Sequence, residues 1–357
     1  MSAESFDIRY YREGDEARIL QLFHDVFGPG YRMEDWLWQF KGNPFSRPIV
    51  WVAESQGGEL AGHYCLIPVP YYHEGRSRRA AFSILSMVHP NFQRRGLLKK
   101  LAEACDQQLR DDGIALGLTF LNDNSLPVYI AHFGWRKVFE VLPVRFRILN
   151  ASVVLRRYTS LRFLRWVGGK IIDFVYFLVT APVALSRRYS RTPITELTAF
   201  DARFDGLWHE FSQGITSGVE RNRQYLEWRF DQNPKSYRIF AAEESDQLKG
   251  FVIIREETKF GVKMGYIADL IFLEQQVGVA LLAYACQVLK RSGCGMVTCL
   301  FTDSGMYRDA LGANRFLRLP GFLMPHGIHF CEKRFSENIS HMPGQRVYLS
   351  WSDHDVV

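Results

Sequence analysis

The sequence has few cysteines, and none of them is spaced to bind a metal. Six occur in 357 residues, and no Cys-x-x-Cys pair or Cys/His spacing typical of a zinc site is present. Most lie inside apolar runs: Cys65, Cys105, Cys286, Cys294, Cys299 and Cys331. We therefore expect buried thiols in a reducing compartment and no metal site.

We also expect no secretory signal at the start of the chain. Residues 1–7 contain neither a basic n-region nor an apolar h-region. Together with the free thiols, this predicts a cytoplasmic location.

Most of the chain has no excess of basic residues, although the formal net charge is +6. Residues 151–191 contain eight basic residues and one acid, Asp173, so the rest of the chain is close to neutral. A protein whose positive charge is confined to one segment is unlike a uniformly basic nucleic-acid binder. We therefore expect no nucleic-acid partner.

The basic segment surrounds an apolar run, Ile171–Leu185. This run contains Asp173 and Pro182 and is shorter than the about 20 apolar residues that span a bilayer. Basic flanks with aromatic residues suit peripheral contact with an anionic membrane through residues 156–191. A helical hairpin packed across two domains explains the same pattern, and both interpretations stay open.

The first part of the chain predicts an alternation of strands and helices. Hydrophobic periodicity and turn residues indicate a strand, a helix, several antiparallel strands, a second helix and a central strand. The expected elements are a strand at 6–10, a helix through 19–27, hairpin strands at 48–54 and 60–67, a strand at 79–88, a helix at 96–110 and a strand at 114–121.

An internal repeat predicts a second domain. The motif Trp-x-Phe-x-x-Asn-Pro at residues 38–44 recurs at residues 228–234, and in both copies an Ala-Glu pair and a Leu-x-Gly follow. Two similar folds in tandem explain the recurrence. We expect a catalytic domain at 1–150, a connector at 151–192 and a second domain at 193–357.

The segment 88–98 carries the motif with the clearest chemistry. It lies where a strand ends and a helix begins, a junction that presents unpaired backbone N–H groups and the positive end of the helix dipole. Gly96 allows the backbone to approach an anion, and Arg94 and Arg95 add charged donors. The segment therefore predicts a diphosphate site.

This segment resembles the coenzyme A signature of the GNAT (Gcn5-related N-acetyltransferase) superfamily, Gln/Arg-x-x-Gly-x-Gly/Ala. Residues 93–98, Gln-Arg-Arg-Gly-Leu-Leu, fit except that Leu98 replaces the last small residue. The element Asn122–Tyr129 followed by Phe133-Gly134-Trp135 is similar to the family's Asn…Tyr…Gly-Phe element. The resemblance covers the first 145 residues. It implies an α/β (α+β) fold with two tandem GNAT-like domains, each a mixed, mostly antiparallel sheet flanked by helices.

The resemblance also implies site residues. The backbone of Met87 and Val88 is expected to bind the pantetheine arm of acetyl-CoA or another acyl-CoA, and Asn124 the cofactor or the reaction centre. Tyr129 is implied as the acid that protonates the departing thiolate. A packed aromatic side chain is the alternative for Tyr129, and a turn cap is the alternative for Gly96. The implied pyrophosphate-binding residues are Gln93, Arg94, Arg95, Gly96, Leu97 and Leu98.

The general base is not identified by the sequence. In the family a carboxylate on the motif's strand or a water chain takes the amine proton, and residues 80–88 contain no carboxylate. A water route or a histidine such as His89 or His63 is the remaining choice, and a structural role is the alternative for each histidine.

The implied activity is N-acyltransfer from acyl-CoA to a primary amine of a small molecule, such as an amino sugar, by direct attack. The alternative is a non-catalytic protein that senses coenzyme A or binds a partner. The second copy keeps only Gln275–Ala280, with the same spacing but no arginine. It resembles a degenerate GNAT repeat, and we expect its cofactor site to be weakened or lost.

Overall fold

A computed structural model describes residues 5–184, 193–259, 261–302, 305–321, 324, 326–342 and 346–354, without the side chains of 181–184. The described chain is a mixed α/β protein with two mixed sheets flanked by helices, as the sequence predicted. The six cysteines are free and buried.

The strands are β1 (Phe6–Tyr10), β2 (Ile49–Ser55), β3 (Leu60–His73), β4 (Arg76–Val88), β5 (Leu116–Leu121), β6 (Arg136–Lys137), β7 (Val144–Ile148), β8 (Ile194–Leu197), β9 (Ser217–Val219), β10 (Arg238–Glu244), β11 (Gln247–Lys259), β12 (Val262–Phe272), β13 (Met296–Leu300), β14 (Leu317–Arg318) and β15 (His329–Arg334). The helices are α1 (Glu16–Phe27), α2 (Met33–Trp36), α3 (Leu97–Asp111), α4 (Leu126–Phe133), α5 (Ala151–Val154), α6 (Arg162–Ala184), α7 (Arg203–Ser212), α8 (Arg223–Leu226), α9 (Gln275–Arg291) and α10 (Gly305–Ala313).

The two sheets have the same strand arrangement. One runs β1-β2-β3-β4-β5-β15-β6 and the other β8-β10-β11-β12-β13-β7-β14. Along both paths the neighbours are antiparallel except for one parallel pair, β4 with β5 and β12 with β13. The seven-strand path of each sheet therefore contains one parallel pair, at the same position.

The chain forms two compact units. Unit 1 contains residues 1–141, 232–234 and 326–344, and unit 2 contains 142–231, 235–325 and 345–357. The sixth strand of each sheet comes from the other half of the chain, since β15 joins unit 1 and β7 joins unit 2. The boundaries proposed from the sequence follow chain order and did not include this exchange.

The core of unit 1 is built by α3 against its sheet. Leu97, Leu101, Cys105 and Leu109 recur every four residues, so they lie on one face of the helix and are buried against β2, β3 and β4. This packing fixes the start of α3 next to the end of β4.

Unit 2 has an equivalent helix and a buried ion network. Helix α9 buries its apolar face against β10, β11 and β12. The fully buried Arg221 donates to Asp269 at 2.7 Å and to Asp353 at 2.8 Å. The network joins β12 to the last described segment of the chain.

The repeated sequence motif has the same conformation in both units. Its Trp-x-Phe part lies in π-helical turns, Leu37–Lys41 and Glu227–Asp231. The following hairpins share a bulge, because Ala53 pairs with Gly62 and Ala242 with Gly250 just before the register shifts. The correspondence supports the prediction of two related halves.

The basic connector contains one long helix, α6, which packs on α5 and α10 of unit 2. Asp173 is used within the unit, where it accepts a hydrogen bond from the Ala151 N–H at 3.1 Å. Among the described residues, no helix combines the length and the apolar character needed to cross a membrane. Residues 185–192, including Arg187, Arg188 and Arg191, lie outside the described residues.

Candidate active site

The sheet of unit 1 opens between β4 and β5. The two strands pair only from Ala80–Leu116 to Phe82–Leu118. At the next position the Thr119 hydroxyl donates to the Ser83 carbonyl at 3.0 Å instead of a backbone group. Beyond this point β4 continues to Val88 with its edge toward β5 unpaired among the described strands, so the backbone of Met87 and Val88 borders the opening.

A bulge at Leu85 shapes the opening. Leu85 has a φ of +48°, which is uncommon for a residue with a side chain, and the pairing with β3 shifts at this point. The Nδ1 atom of His63 lies 3.0 Å from the Leu85 carbonyl oxygen. His63 is fully buried, and burial lowers its pKa to about 4. It is therefore neutral at neutral pH.

The loop from His89 to Gly96 connects β4 to α3. His89 ends the strand and caps a short 3₁₀ turn, since its Nδ1 accepts from the Asn91 N–H at 3.2 Å. Arg94 and Gly96 both adopt left-handed backbone conformations, with φ values of +64° and +73°. Gly96 precedes α3 directly, and the space around it is open.

The backbone N–H groups of this loop are available to a ligand. Within the described residues, no acceptor is in hydrogen-bond range of the N–H groups of Arg94, Gly96, Leu97 and Leu98. The positive end of the α3 dipole adds to their partial charge. These groups therefore form a concave donor site suited to a diphosphate.

The two loop arginines differ in environment. Arg94 is exposed. The guanidinium of Arg95 lies 5.6 Å from the Phe6 ring centroid and 5.4 Å from that of Phe92, and it donates to the Asn91 carbonyl at 3.3 Å. Leu98, which departs from the family pattern, is half-buried against the core of unit 1.

Tyr129 lies on α4 and is buried beside Phe133 and Trp135. Burial raises its pKa, while the hydroxyls of Ser86 and Ser83 oppose that increase. Tyr129 therefore keeps its proton at neutral pH and lies next to the serines of the opened strand, which is the state that an acid requires.

The loop after β5 carries two exposed amide side chains, and one of them organises the loop. The Oδ1 atom of Asn122 accepts from the N–H groups of Asn124 and Ser125 at 3.0 and 2.9 Å. Asn124 is exposed. Asn122 thus holds the start of α4, and the structure places Asn124 on the surface of this loop.

The structure brings most predicted site residues to the end of β4 and the start of α3. Gln93 joins them, since its amide donates to the Val88 carbonyl at 3.4 Å. No motif in the sequence singled out Ser83, Ser86 and Thr119. In a regular strand Ser83 and Ser86 would point to opposite faces, and the bulge at Leu85 brings both toward Tyr129.

In the part of the chain that the structure describes, no group of three or more His, Cys, Asp or Glu side chains is arranged to hold an ion.

The corresponding segment of unit 2 has a different structure. Gln275–Ala280 is part of α9, which begins three residues before Gly278. The N–H groups of Val277 and Gly278 donate to the Glu274 carbonyl at 3.0 and 3.1 Å. A Cβ on Gly278 would lie 2.7 Å from the Phe272 ring. This glycine therefore serves helix packing, and its N–H is already bonded.

Comparisons with known proteins agree with this architecture. Residues 7–138 match the family model described as the acetyltransferase (GNAT) domain. A GCN5-related N-acetyltransferase from Anabaena variabilis superposes with a TM-score of 0.65 at 11% identity, covering 93% of this chain and 73% of that chain. A probable N-acyltransferase from Enterococcus faecalis gives 0.61 at 12% identity, with coverage of 93% and 73%.

The N-myristoyltransferase of Saccharomyces cerevisiae, solved with bound myristoyl-CoA, gives a TM-score of 0.62 at 14% identity and covers 96% of this chain and 88% of that chain. Because the three proteins are only 11–14% identical to this chain, the similarity establishes the fold alone. A search of curated protein sequences finds no significant match. Residues 7–138 therefore match the acetyltransferase (GNAT) domain, and the chain shares its fold with N-acyltransferases over most of its length.

Proposed function

We propose that this protein transfers an acetyl or other acyl group from acyl-CoA to a primary amine of a small molecule, such as an amino sugar. The observation that carries the proposal is the set of open N–H groups at Arg94, Gly96, Leu97 and Leu98. A diphosphate bound there directs the pantetheine arm along the free edge of β4.

The reaction needs few protein groups. The amine nitrogen attacks the thioester carbonyl, the new C–N bond forms and the C–S bond breaks. Tyr129 gives its proton to the departing sulfur, and because burial raises its pKa, the hydroxyl is protonated at neutral pH before the reaction. His63 is buried against the bulge and His89 caps the turn, so water is the favoured acceptor of the amine proton.

Ligand binding and turnover can be measured separately. We expect acetyl-CoA and longer acyl-CoAs to raise the melting temperature of the full chain, because a ligand that binds only the folded state stabilises it. An amine panel assayed for thiol release then identifies the acceptor. Amino sugars, amino acids and antibiotics form the panel.

The alternative is a protein that senses coenzyme A or binds a partner without catalysis. Stabilisation by acyl-CoA without thiol release on any amine would favour it. Absence of stabilisation by every acyl-CoA would remove acyl transfer and coenzyme A sensing, because both need the diphosphate site, and would leave partner binding alone.

A cytoplasmic location with peripheral membrane contact through α6 is also proposed. The helix exposes large apolar side chains over most of its surface, with Phe163 70% and Trp166 60% exposed. Basic residues at its N-terminal end complement an anionic lipid surface: Arg156, Arg157, Arg162 and Arg165. Exposed apolar surface of this extent is unusual for a protein without a binding partner.

Co-sedimentation with vesicles tests the contact. Phosphatidylcholine vesicles containing phosphatidylserine should bind the protein at low salt and less at high salt. Replacing Trp166 and Phe174 by serine should weaken binding, and the control double variant Phe27→Ser/Val141→Ser in unit 1 should not. No binding at low salt, or dimerisation through the same residues, would overturn the proposal.

A further inference from the structure

The sheet of unit 2 also opens, between β12 and β13. The last parallel pair joins Ile267 to Cys299, whereas β12 continues to Phe272. A cavity of about 430 Å³ lies at this end of the strands. Its volume is within the range of about 300–1,000 Å³ found for small-molecule sites.

The walls of the cavity are mainly apolar. They come from the end of α7, the end of β12, the start of α10 and the segment after Arg346. The apolar and aromatic lining residues are Phe211, Ile215, Phe272, Leu273, Met306 and Val347, with Tyr307 and Tyr348. An apolar ligand would replace water against these surfaces.

Most of the polar groups around the cavity are bonded within the protein. Tyr307 donates to the Leu270 carbonyl at 2.6 Å, and Tyr348 bonds Asp269 and the same carbonyl. Arg346 donates to the Gly214 carbonyl from Nε at 3.0 Å and from Nη2 at 2.8 Å. The two tyrosines therefore contribute apolar ring surface to the cavity.

The cavity lacks the diphosphate site of unit 1. The N–H groups of Val277 and Gly278 are bonded to Glu274, so the start of α9 offers fewer donors than the start of α3. A ligand of this cavity is therefore held by its apolar part.

From these contacts, we propose that the cavity of unit 2 binds an unbranched alkyl chain, either of a free fatty acid or of a longer acyl group. The site is separate from the proposed acyl transfer and does not depend on it. Tyr307 occupies a position like that of Tyr129, close to the start of the helix after the central strand, and its hydroxyl is bonded to β12. The site therefore binds a chain without reacting with it.

Calorimetric titration of the full chain with decanoate and with 1-decanol tests the proposal. Both should bind saturably, because the chain and not the head group is recognised. Met306 is 43% exposed at the cavity, so Met306→Glu adds a charge without burying it and should weaken binding at least about tenfold. The control Val141→Glu, at a residue 38% exposed in unit 1, should leave binding unchanged.

A second variant covers the case in which Met306→Glu fails to fold. Ile215→Phe keeps the wall apolar and reduces the volume, so dodecanoate should lose more affinity than octanoate. Equal loss for both chain lengths would argue against a chain bound in this cavity.

Competition with coenzyme A distinguishes this cavity from the diphosphate site of unit 1. Decanoate affinity should be the same with and without saturating coenzyme A, and Gly96→Val should abolish stabilisation by acyl-CoA while decanoate still binds. Displacement of decanoate by coenzyme A, or no saturable binding of either probe, would overturn the proposal. Failure of acyl-CoA binding alone would affect only the proposed acyl transfer.

Discussion

The two units open their sheets at the same position but differ in the chain that follows the opened strand. In unit 1, residues 89–96 form a loop before α3, and N–H groups at the helix start remain open. In unit 2, only residues 273–274 separate β12 from α9, and the corresponding N–H groups are bonded within the helix. Extending a helix backward by a few residues thus removes an anion site without changing the sheet.

The polar groups at the two openings differ as well. Unit 1 has the hydroxyls of Ser83, Ser86 and Tyr129, the last of which is the proposed acid. Unit 2 has Asp269 on the corresponding strand, fully buried and paired with Arg221. A carboxylate on the strand is one of the bases that the resemblance implies, but Asp269 is held in an ion pair with Arg221. A buried, fully bonded group is poorly placed to exchange protons with a substrate.

Gly96→Val should have the largest effect. The substitution forces a β-branched residue into a left-handed conformation and displaces the open N–H groups, so we expect kcat/KM to fall at least a thousandfold, or about 4 kcal/mol. The rate of thiol release with acyl-CoA and the identified amine measures kcat/KM.

Gly293→Val is the matched control for this change. Gly293 has a φ of +87° and open space around it, as Gly96 does, but it lies after α9 in unit 2. Both variants should lose similar stability, and only Gly96→Val should lose activity. Equal activity losses would mean that strain alone explains the result. Gly278 is a poor control because its Cβ would clash with Phe272.

Arg221→Met should have the next largest effect, on stability. It leaves Asp269 and Asp353 buried without their cation, and burial already raises the pKa of Asp353. We expect the free energy of unfolding of unit 2 to fall by about 3–5 kcal/mol in urea titrations. Arg223→Met removes the exposed pair with Glu227 and should change the free energy of unfolding little. Similar effects of the two would contradict a structural role for the network.

Tyr129→Phe tests the proposed acid against its counterpart in unit 2. We expect kcat to fall about a hundredfold with little change in KM, because only protonation of the leaving thiolate is affected. Tyr307→Phe loses the bond to Leu270 and should cost about 1 kcal/mol of stability without lowering kcat. Unchanged kcat in Tyr129→Phe would leave this residue as a packed aromatic side chain.

We expect the smallest effect from His63, which contributes to the pH dependence of stability. Its folded pKa of about 4 lies below the unfolded value near 6.5, so the unfolded state binds more protons between these values and stability falls as pH decreases. Between pH 7.5 and 5, the free energy of unfolding should fall by about 2 kcal/mol more in the wild type than in His63→Gln. Parallel curves would mean that His63 is not neutral in the fold. Phe251 lies at the matching place beside Gly250 in unit 2, so no such dependence arises there.

Much of the site was predictable because its signals are local. The loop 93–98 combines a strand end, a glycine and a helix start, and the residues that signal these features are neighbours in the sequence. Ser83 and Ser86 were not predictable as a pair, because they share a side only through the bulge at Leu85. The partners of His63 and His89 were hidden for a similar reason, since they depend on the folded loop and strand.

The sequence by itself determined the periodic helices and strands, the related halves and the glycine-containing loop of unit 1, because each is encoded in the order and spacing of residues. Tertiary structure decided which strand completes each sheet, with β7 and β15 exchanged between the halves of the chain. It also decided that Gly278 lies inside a helix whereas Gly96 precedes one. Strand pairing and helix starts depend on contacts between distant residues, and these contacts form only when the chain folds.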